Sequence, residues 1–510
     1  MSMPIDDEIY SSIQIKRGAM MSYAAIFINI AAGLVYTPWM IKQIGRSQYA
    51  LYALAISALQ FFTMDFGLGA AVSRFLSRYK ATGEEASARD FLGMTFKMYL
   101  IIDAAIFIAT LFIFVFAGKI YGGLTPEEVS QFKVVFFIAA VHSILTFPLI
   151  PLRGILMANE RFIFLNFAGM LRKVLAIASI VTVLLLGYGL YALVAVNAVS
   201  GLIITGLKLR YAAKNKLISI NFRAKNKTIL RSVFGYSAWV TITALAGKFV
   251  FSITPTVLGA FADSVQISLF AVATGVAAYA GSFTGALGGL FLPKVTRLSI
   301  KKASQSVEDL MIKVGRIQLA ITGLIIIGFI TMGREFIILW LGEGFKEAYY
   351  IALMLIVPGI IIFTQQIGET MMHASNKIRY TAFCRIITAV ISLGLSLVLT
   401  RFYGAIGAGI AIFTGTMAGT VLGKNLVYHR VLKINIIRFL RECHLRMVFP
   451  LISVFIAGIL IQRFFPVEKL SMFFAKAFIF GIIYFILIWF TGLNKYEKNL
   501  FAGLFRKSRT

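Results

Sequence analysis

Runs of about twenty apolar residues recur from one end of this 510-residue chain to the other, and they constrain its fold more than any other feature. A helix crosses a bilayer with about 20 mostly apolar residues. The chain is 59% hydrophobic and only 14% charged, whereas a soluble chain is about half apolar and a quarter charged. No soluble domain of useful size is left between the runs. The expected fold class is an all-α polytopic membrane protein with about fourteen transmembrane helices.

The expected spans are 19–41, 48–72, 92–116, 131–152, 163–187, 189–209, 233–257, 265–292, 314–333, 348–371, 380–402, 404–426, 447–465 and 473–492. The pair 163–187 and 189–209 is joined only by Gly187-Tyr188-Gly189. Two helices with a glycine turn fit a hydrocarbon core about 30 Å thick better than one long helix does.

Net charge is +29, which in a soluble protein would suggest nucleic acid. Here the basic residues sit between apolar runs, so nucleic acid is set aside as a partner. With the N-terminus inside, roughly 35 basic residues fall on one side and about 10 on the other, making the richer side cytoplasmic. An even number of spans returns both termini there. The first apolar run is too long for a signal-peptide core, and no cleavable signal is expected. Cys384 and Cys443, the two cysteines, give no disulfide framework.

The loop over Lys208–Arg231 is the most basic and the longest, and reads as a linker between two halves. Tyr36-Thr37-Pro38 matches Ile253-Thr254-Pro255, and Leu156-Met157-Ala158 matches Met372-His373-Ala374. Tyr188-Gly189 matches Tyr403-Gly404, and 47–55 matches 265–273. All are about 215–218 positions apart, which suggests a parallel repeat of two six-helix lobes with two helices appended. The expected divisions are an N-terminal lobe 1–210, a cytoplasmic linker 211–232, a C-terminal lobe 233–430, and a helix pair with basic tail 431–510.

Gly45-Arg46-Ser47-Gln48-Tyr49-Ala50-Leu51-Tyr52 resembles the first outer loop of polysaccharide and oligosaccharide flippases. The segments Met64–Phe75 and Leu339–Ala348 are similar to further segments of the O-antigen-type branch of the multidrug/oligosaccharidyl-lipid/polysaccharide exporter superfamily. The resemblance covers nearly the whole chain. It implies movement of an undecaprenyl-diphosphate-linked oligosaccharide from the cytoplasmic to the periplasmic leaflet of a bacterial inner membrane, by alternating access. It also implies lipid-linked oligosaccharide and membrane lipids as partners, with polysaccharide polymerase and glycosyltransferases as further candidates. Lipopolysaccharide is one destination for such a glycan.

A charge at mid-bilayer costs about 2.5–3.5 kcal/mol on insertion scales, so retained charges usually face a cavity or a partner. Lys248 lies deep in span 7 among Ser237, Thr241, Ala244 and Ser252 at helical spacing, and its depth points to a cavity. Arg172, Lys173 and Arg385 lie inside repeat-related spans 5 and 11. These four cations are candidates for binding a diphosphate, since guanidinium groups bind phosphate oxygens in pairs. Arg172, Lys173 and Arg385 could equally snorkel to the interface.

Four further residues are coupling or gate candidates. Asp103 in span 3 could carry a coupling proton or sodium, or pair internally, for instance with Lys97. Asp65 would fix a helix end or the closed gate. Arg153 and Glu369, at repeat-related sites, could form a gate pair or stand as two solvated charges. The four-residue glycine ladders Gly281/Gly285/Gly289 and Gly415/Gly419/Gly423 are read as packing surfaces, and Pro38 and Pro255 as bends.

No phosphate-binding GxxxxGK[ST] motif, metal-ligand spacing or nucleophile–base set is present, so no cofactor, metal or enzymatic activity is expected. The alternatives are a cation-coupled multidrug or metabolite antiporter, a lipid-linked peptidoglycan-precursor flippase, and a non-transporting scaffold for synthesis enzymes.

Overall fold

The computed structural model describes residue 27 and residues 30–62, 68–224, 239, 241–285, 304–375, 377–495 and 497–498. Asp65, Ser237, Gly289 and the linker residues 225–232 lie outside them. The regular elements among the described residues are all helical. In chain order they are α1 (30–44), α2 (Arg46–Phe62), α3 (Leu68–Ala81), α4 (Glu85–Ile120), α5 (Pro126–Ala158), α6 (Phe162–Leu185) and α7 (Leu190–Lys214). They continue with α8 (Thr241–Phe261), α9 (Ser264–Gly285), α10 (Ser304–Leu341), α11 (Glu347–Ala374), α12 (Ile378–Leu432), α13 (Ile436–Phe464) and α14 (Leu470–Gly492).

Eleven of these, α4 to α14, are long and apolar enough to cross a bilayer. At 55 residues, α12 would be about 80 Å long if straight, far beyond the hydrocarbon core. Gly404 interrupts it at φ 52°, ψ −133°, so it supplies two crossings. With α1 and the α2–α3 segment at the first two expected spans, this is a multi-pass membrane protein of about fourteen crossings. The helices overrun the expected spans: α4 begins at Glu85 and α10 ends at Leu341. Apolar patterning stops where charged residues begin, but backbone hydrogen bonding continues into the interface. For the same reason α7 runs on to Lys214, past the expected end at 209.

The connection between α6 and α7 is the expected glycine turn. Gly187 sits at φ 80° and the Tyr188 amide closes on the Val183 carbonyl at 3.1 Å. Other local features recur at the repeat interval. The helix of α5 tightens to a 3-10 turn at Phe147–Leu149, where Pro148 and Pro151 each remove a backbone donor. In α11 the same tightening occurs at Phe363–Gln365, just after Pro358. Lys216 and Lys433 end α7 and α12 in the left-handed conformation, at φ 53° and 59°.

The chain packs into two compact units. One comprises residues 39–271 and 393–408; the other comprises residues up to Pro38, 272–392 and those from Gly409 onward. The core of the first gathers Phe91, Tyr99, Phe147 and Leu152 from α4 and α5. The core of the second gathers Met311, Ile367, Phe439 and Phe480 from α10, α11, α13 and α14. In the second unit Gly419 lies on α12 so close to the preceding span that a Cβ there would stand 2.5 Å from the Thr388 amide nitrogen and 2.6 Å from the Cys384 carbonyl. Gly415 and Gly423 pack on Ser392 and Cys384 in the same way, which is the expected role of that ladder. Many large apolar side chains point outward, among them Phe107, Phe112, Ile163 and Met170; in water they would form an untenable patch, and in a bilayer they face lipid.

Candidate functional site

The first unit encloses a cavity of about 460 Å³ between α2, α5, α6 and α7. The break in α5 builds one wall. Past the 3-10 turn the chain resumes as the short helix Pro151–Ala158, and Arg153 lies on its first turn, exposed to the cavity. Arg172 enters from α6 and Lys208 from α7. Lys208 is close enough to feel the charge of both arginines. Among the described residues no carboxylate lines the cavity, and none of these three cations has an ion-pair partner.

Polar groups complete the lining. The Tyr52 hydroxyl hydrogen-bonds to Asn197. His142, on α5, lies directly against Gly201 on α7, a position where any larger residue would displace the imidazole. Its Nε2 is buried and has no hydrogen-bond partner among the described residues. Lys248 reaches the same region from α8, donating to Oε1 of the lining residue Gln60 at 3.4 Å. It stands on the last turn before Pro255 breaks α8, and its carbonyl accepts from both Ser252 and Ile253.

The other candidates fall elsewhere. Lys173, next to Arg172, is not part of the cavity lining. Asp103 is buried in α4, and its Oδ1 has no hydrogen-bond partner among the described residues. Lys97 donates instead to the Ala224 carbonyl at 3.3 Å. Glu369 lies in the second unit, where it accepts from Lys424 Nζ at 2.7 Å and from the Tyr428 hydroxyl at 3.3 Å. Arg385 stands beside this pair, within electrostatic reach of both, and its Nε is buried with no hydrogen-bond partner among the described residues.

Lys208 and His142 were missed by the sequence reading. The apolar run ends near Lys208, so the sequence alone places it in a loop. The usable signal was its position, 216 residues before Lys424, the same interval that separates Arg153 from Glu369.

A second, apolar cavity of about 760 Å³ lies within the second unit, among α1, α9, α10 and α14. Leu34, Phe329, Phe336, Phe478 and Phe485 line it. Beside it, the buried Lys476 of α14 is held by Glu335 at 2.7 Å and Gln462 at 2.8 Å.

The helix order, the broken spans and the polar cavity define a transporter-type membrane fold. Solved structures agree. The chain superposes on the lipid II flippase MurJ, in a structure described as inward closed, with a TM-score of 0.66 at 15% identity, covering 92% of this chain and 98% of that one. It superposes on a multidrug resistance MATE family transporter of the MOP superfamily with a TM-score of 0.63 at 16% identity, covering 79% and 94%. The profile of the polysaccharide biosynthesis protein family matches residues 15–300, and the chain belongs to that family. A Haloferax volcanii protein described as "Probable low-salt glycan biosynthesis flippase Agl15" is 22% identical over 220 residues, 43% of this chain. The chain spans about half the length, 47%, of that curated relative.

Proposed function

We propose that this protein is a flippase that moves an undecaprenyl-diphosphate-linked oligosaccharide from the cytoplasmic to the periplasmic leaflet by alternating access. The observation that carries this reading is the cavity lined by Arg153, Arg172 and Lys208, with no carboxylate among its described lining residues. Clustered cations inside a membrane protein need an anionic partner, and a diphosphate offers several oxygens to guanidinium and ammonium donors. The apolar cavity of the second unit adds a surface suited to a polyprenyl chain. Family membership supports a role in glycan assembly.

In this reading Lys248 and Arg172 serve the headgroup pathway, with Lys173 and Arg385 as outlying cations. Asp103 is the coupling candidate, since it is buried and its Oδ1 has no hydrogen-bond partner among the described residues. Asp65 keeps its proposed place at a helix end or gate. The lobes 1–210 and 233–430, joined by the linker 211–232 and followed by 431–510, are the proposed moving parts. The proposed location is a bacterial inner membrane with both termini cytoplasmic, alongside polymerase and glycosyltransferases. An antiporter for organic cations would want an anionic pocket, opposite to the cavity found here.

The test is to delete the gene and probe the sidedness of lipid-linked oligosaccharide in oriented vesicles with a membrane-impermeant lectin. Glycan trapped on the cytoplasmic face and released by the wild-type protein supports the flippase. Normal sidedness in a strain with no second flippase defeats it.

A further inference from the structure

Three cations surround the first unit's cavity, and the second unit contains their counterparts at the repeat interval. Lys208 and Lys424 are 216 positions apart and Arg153 and Glu369 also 216, while Arg172 and Arg385 are 213 apart, within one helical turn of that interval. The local frame repeats as well. Arg153 and Glu369 each sit in the short helix that follows a 3-10 turn, Phe147–Leu149 in one case and Phe363–Gln365 in the other. Lys208 and Lys424 each precede a left-handed lysine that ends the helix, Lys216 or Lys433. In both triads the charges are close enough to feel one another.

The two triads differ in one sign. In the second unit the acidic member Glu369 accepts from Lys424 at 2.7 Å, and the lysine side chain is closed off at 8% exposure. In the first unit the acidic member is replaced by Arg153. The frame therefore holds three like charges around an open cavity of about 460 Å³, with the unpartnered His142 Nε2 beside them. Like charges gathered this closely repel unless an anion joins them.

We propose that a phosphate-class anion occupies, in the first unit, the place that the Glu369 carboxylate fills in the second, and that Arg153 is the specificity-determining residue that makes that place a ligand site instead of an internal ion pair. This rests on the reading of the cavity as the headgroup site and goes further, in naming the residue that creates the demand for an anion.

The inference predicts an unusual variant. Arg153→Glu rebuilds in the first unit the charge set that the second unit already tolerates, with the new carboxylate in reach of Lys208. It should fold and should be more heat-stable than wild type without ligand, because it carries its own anion. The measurement is thermal unfolding of the purified full-length protein in detergent, with and without inorganic pyrophosphate or farnesyl diphosphate.

Wild type should be stabilised by pyrophosphate, and the apparent affinity should fall at least tenfold in Arg153→Glu and in Lys208→Gln. Glu369→Asp, which keeps the second unit's charge, should respond as wild type does. Farnesyl diphosphate binding more tightly than pyrophosphate would identify a lipid headgroup as the occupant, and equal binding a free diphosphate; both support the site. No diphosphate response in wild type, or an undiminished response in Arg153→Glu, overturns the proposal. If these results hold while glycan sidedness is normal in the deletion strain, the flippase reading falls and the anion site stands.

Discussion

Lys424 Nζ donates to Glu369 Oε2 over 2.7 Å, and the same carboxylate oxygen accepts from the Tyr428 hydroxyl at 3.3 Å. The lysine is buried, so the pair is not a surface ornament. Removing one partner leaves the other charge buried and uncompensated, at a cost of about 3–5 kcal/mol. Glu369→Gln should therefore lower the stability of the purified protein by about that amount. Adding Lys424→Met should recover most of the loss, because the orphaned charge is gone. Thermal unfolding of the two variants in one detergent checks both statements.

Arg316 plays a comparable part for the chain beyond α14. Its guanidinium donates to both carboxylate oxygens of Glu497, at 2.5 and 3.1 Å, and to the Gly492 carbonyl at 2.7 Å. Glu497 also closes a reciprocal cap with Asn494. Glu497→Ala should cost about 3 kcal/mol or more. The readout is a reduced quantity of folded protein in the membrane, with Lys495→Ala, at an exposed position two residues earlier, as the surface control.

Gly419 tests helix packing. An alanine methyl there would meet the Thr388 amide nitrogen at 2.5 Å, which is backbone and cannot swing aside. Gly419→Ala should destabilise by about 1–3 kcal/mol despite alanine's better helix propensity. Gly394, on the same long helix, has nothing within 4 Å of an added Cβ, and Gly394→Ala should be neutral or slightly stabilising. Unfolding midpoints of the two variants give the comparison.

Lys248 donates to Gln60, a residue of the cationic cavity. If it serves the headgroup pathway, Lys248→Ala should cut glycan flipping at least tenfold, a loss of about 1.4 kcal/mol, while membrane abundance stays normal. Export at the wild-type rate would remove Lys248 from the pathway.

Asp103 is the buried acid that lacks a partner on Oδ1. If it carries a coupling proton, Asp103→Asn should flip glycan at a rate that no longer responds to an imposed pH gradient across proteoliposomes. A preserved gradient response would place coupling elsewhere.

Much of the fold could be read from residues close together in sequence. Apolar runs located the spans, Gly187 and Gly404 marked turns between long helices, and the ladder Gly415/Gly419/Gly423 marked a close packing surface. Each of these signals depends on local chemistry: length of apolar chain, freedom of a glycine backbone, absence of a Cβ. The site was less legible. Arg153 and Glu369 carry opposite charges at repeat-related positions, and the sequence leaves open a gate pair or two solvated charges. Yet the carboxylate is taken by Lys424, while Arg153 joins Arg172 and Lys208. Asp103 and Lys97 are two turns apart on one helix, but Lys97 spends its ammonium on the Ala224 carbonyl.

The sequence by itself determined that this chain lives in a bilayer, that its helices come in a repeated set, and that several cations fall within its apolar spans. Those properties follow from composition and spacing, which hydrophobic transfer and helix geometry translate directly. Only the tertiary structure decided which charges meet. The partner of a buried cation depends on helix rotation, on depth, and on where prolines break a span. The proline break in α5 therefore gave Arg153 an open cavity, and the repeated break in α11 gave Glu369 a lysine.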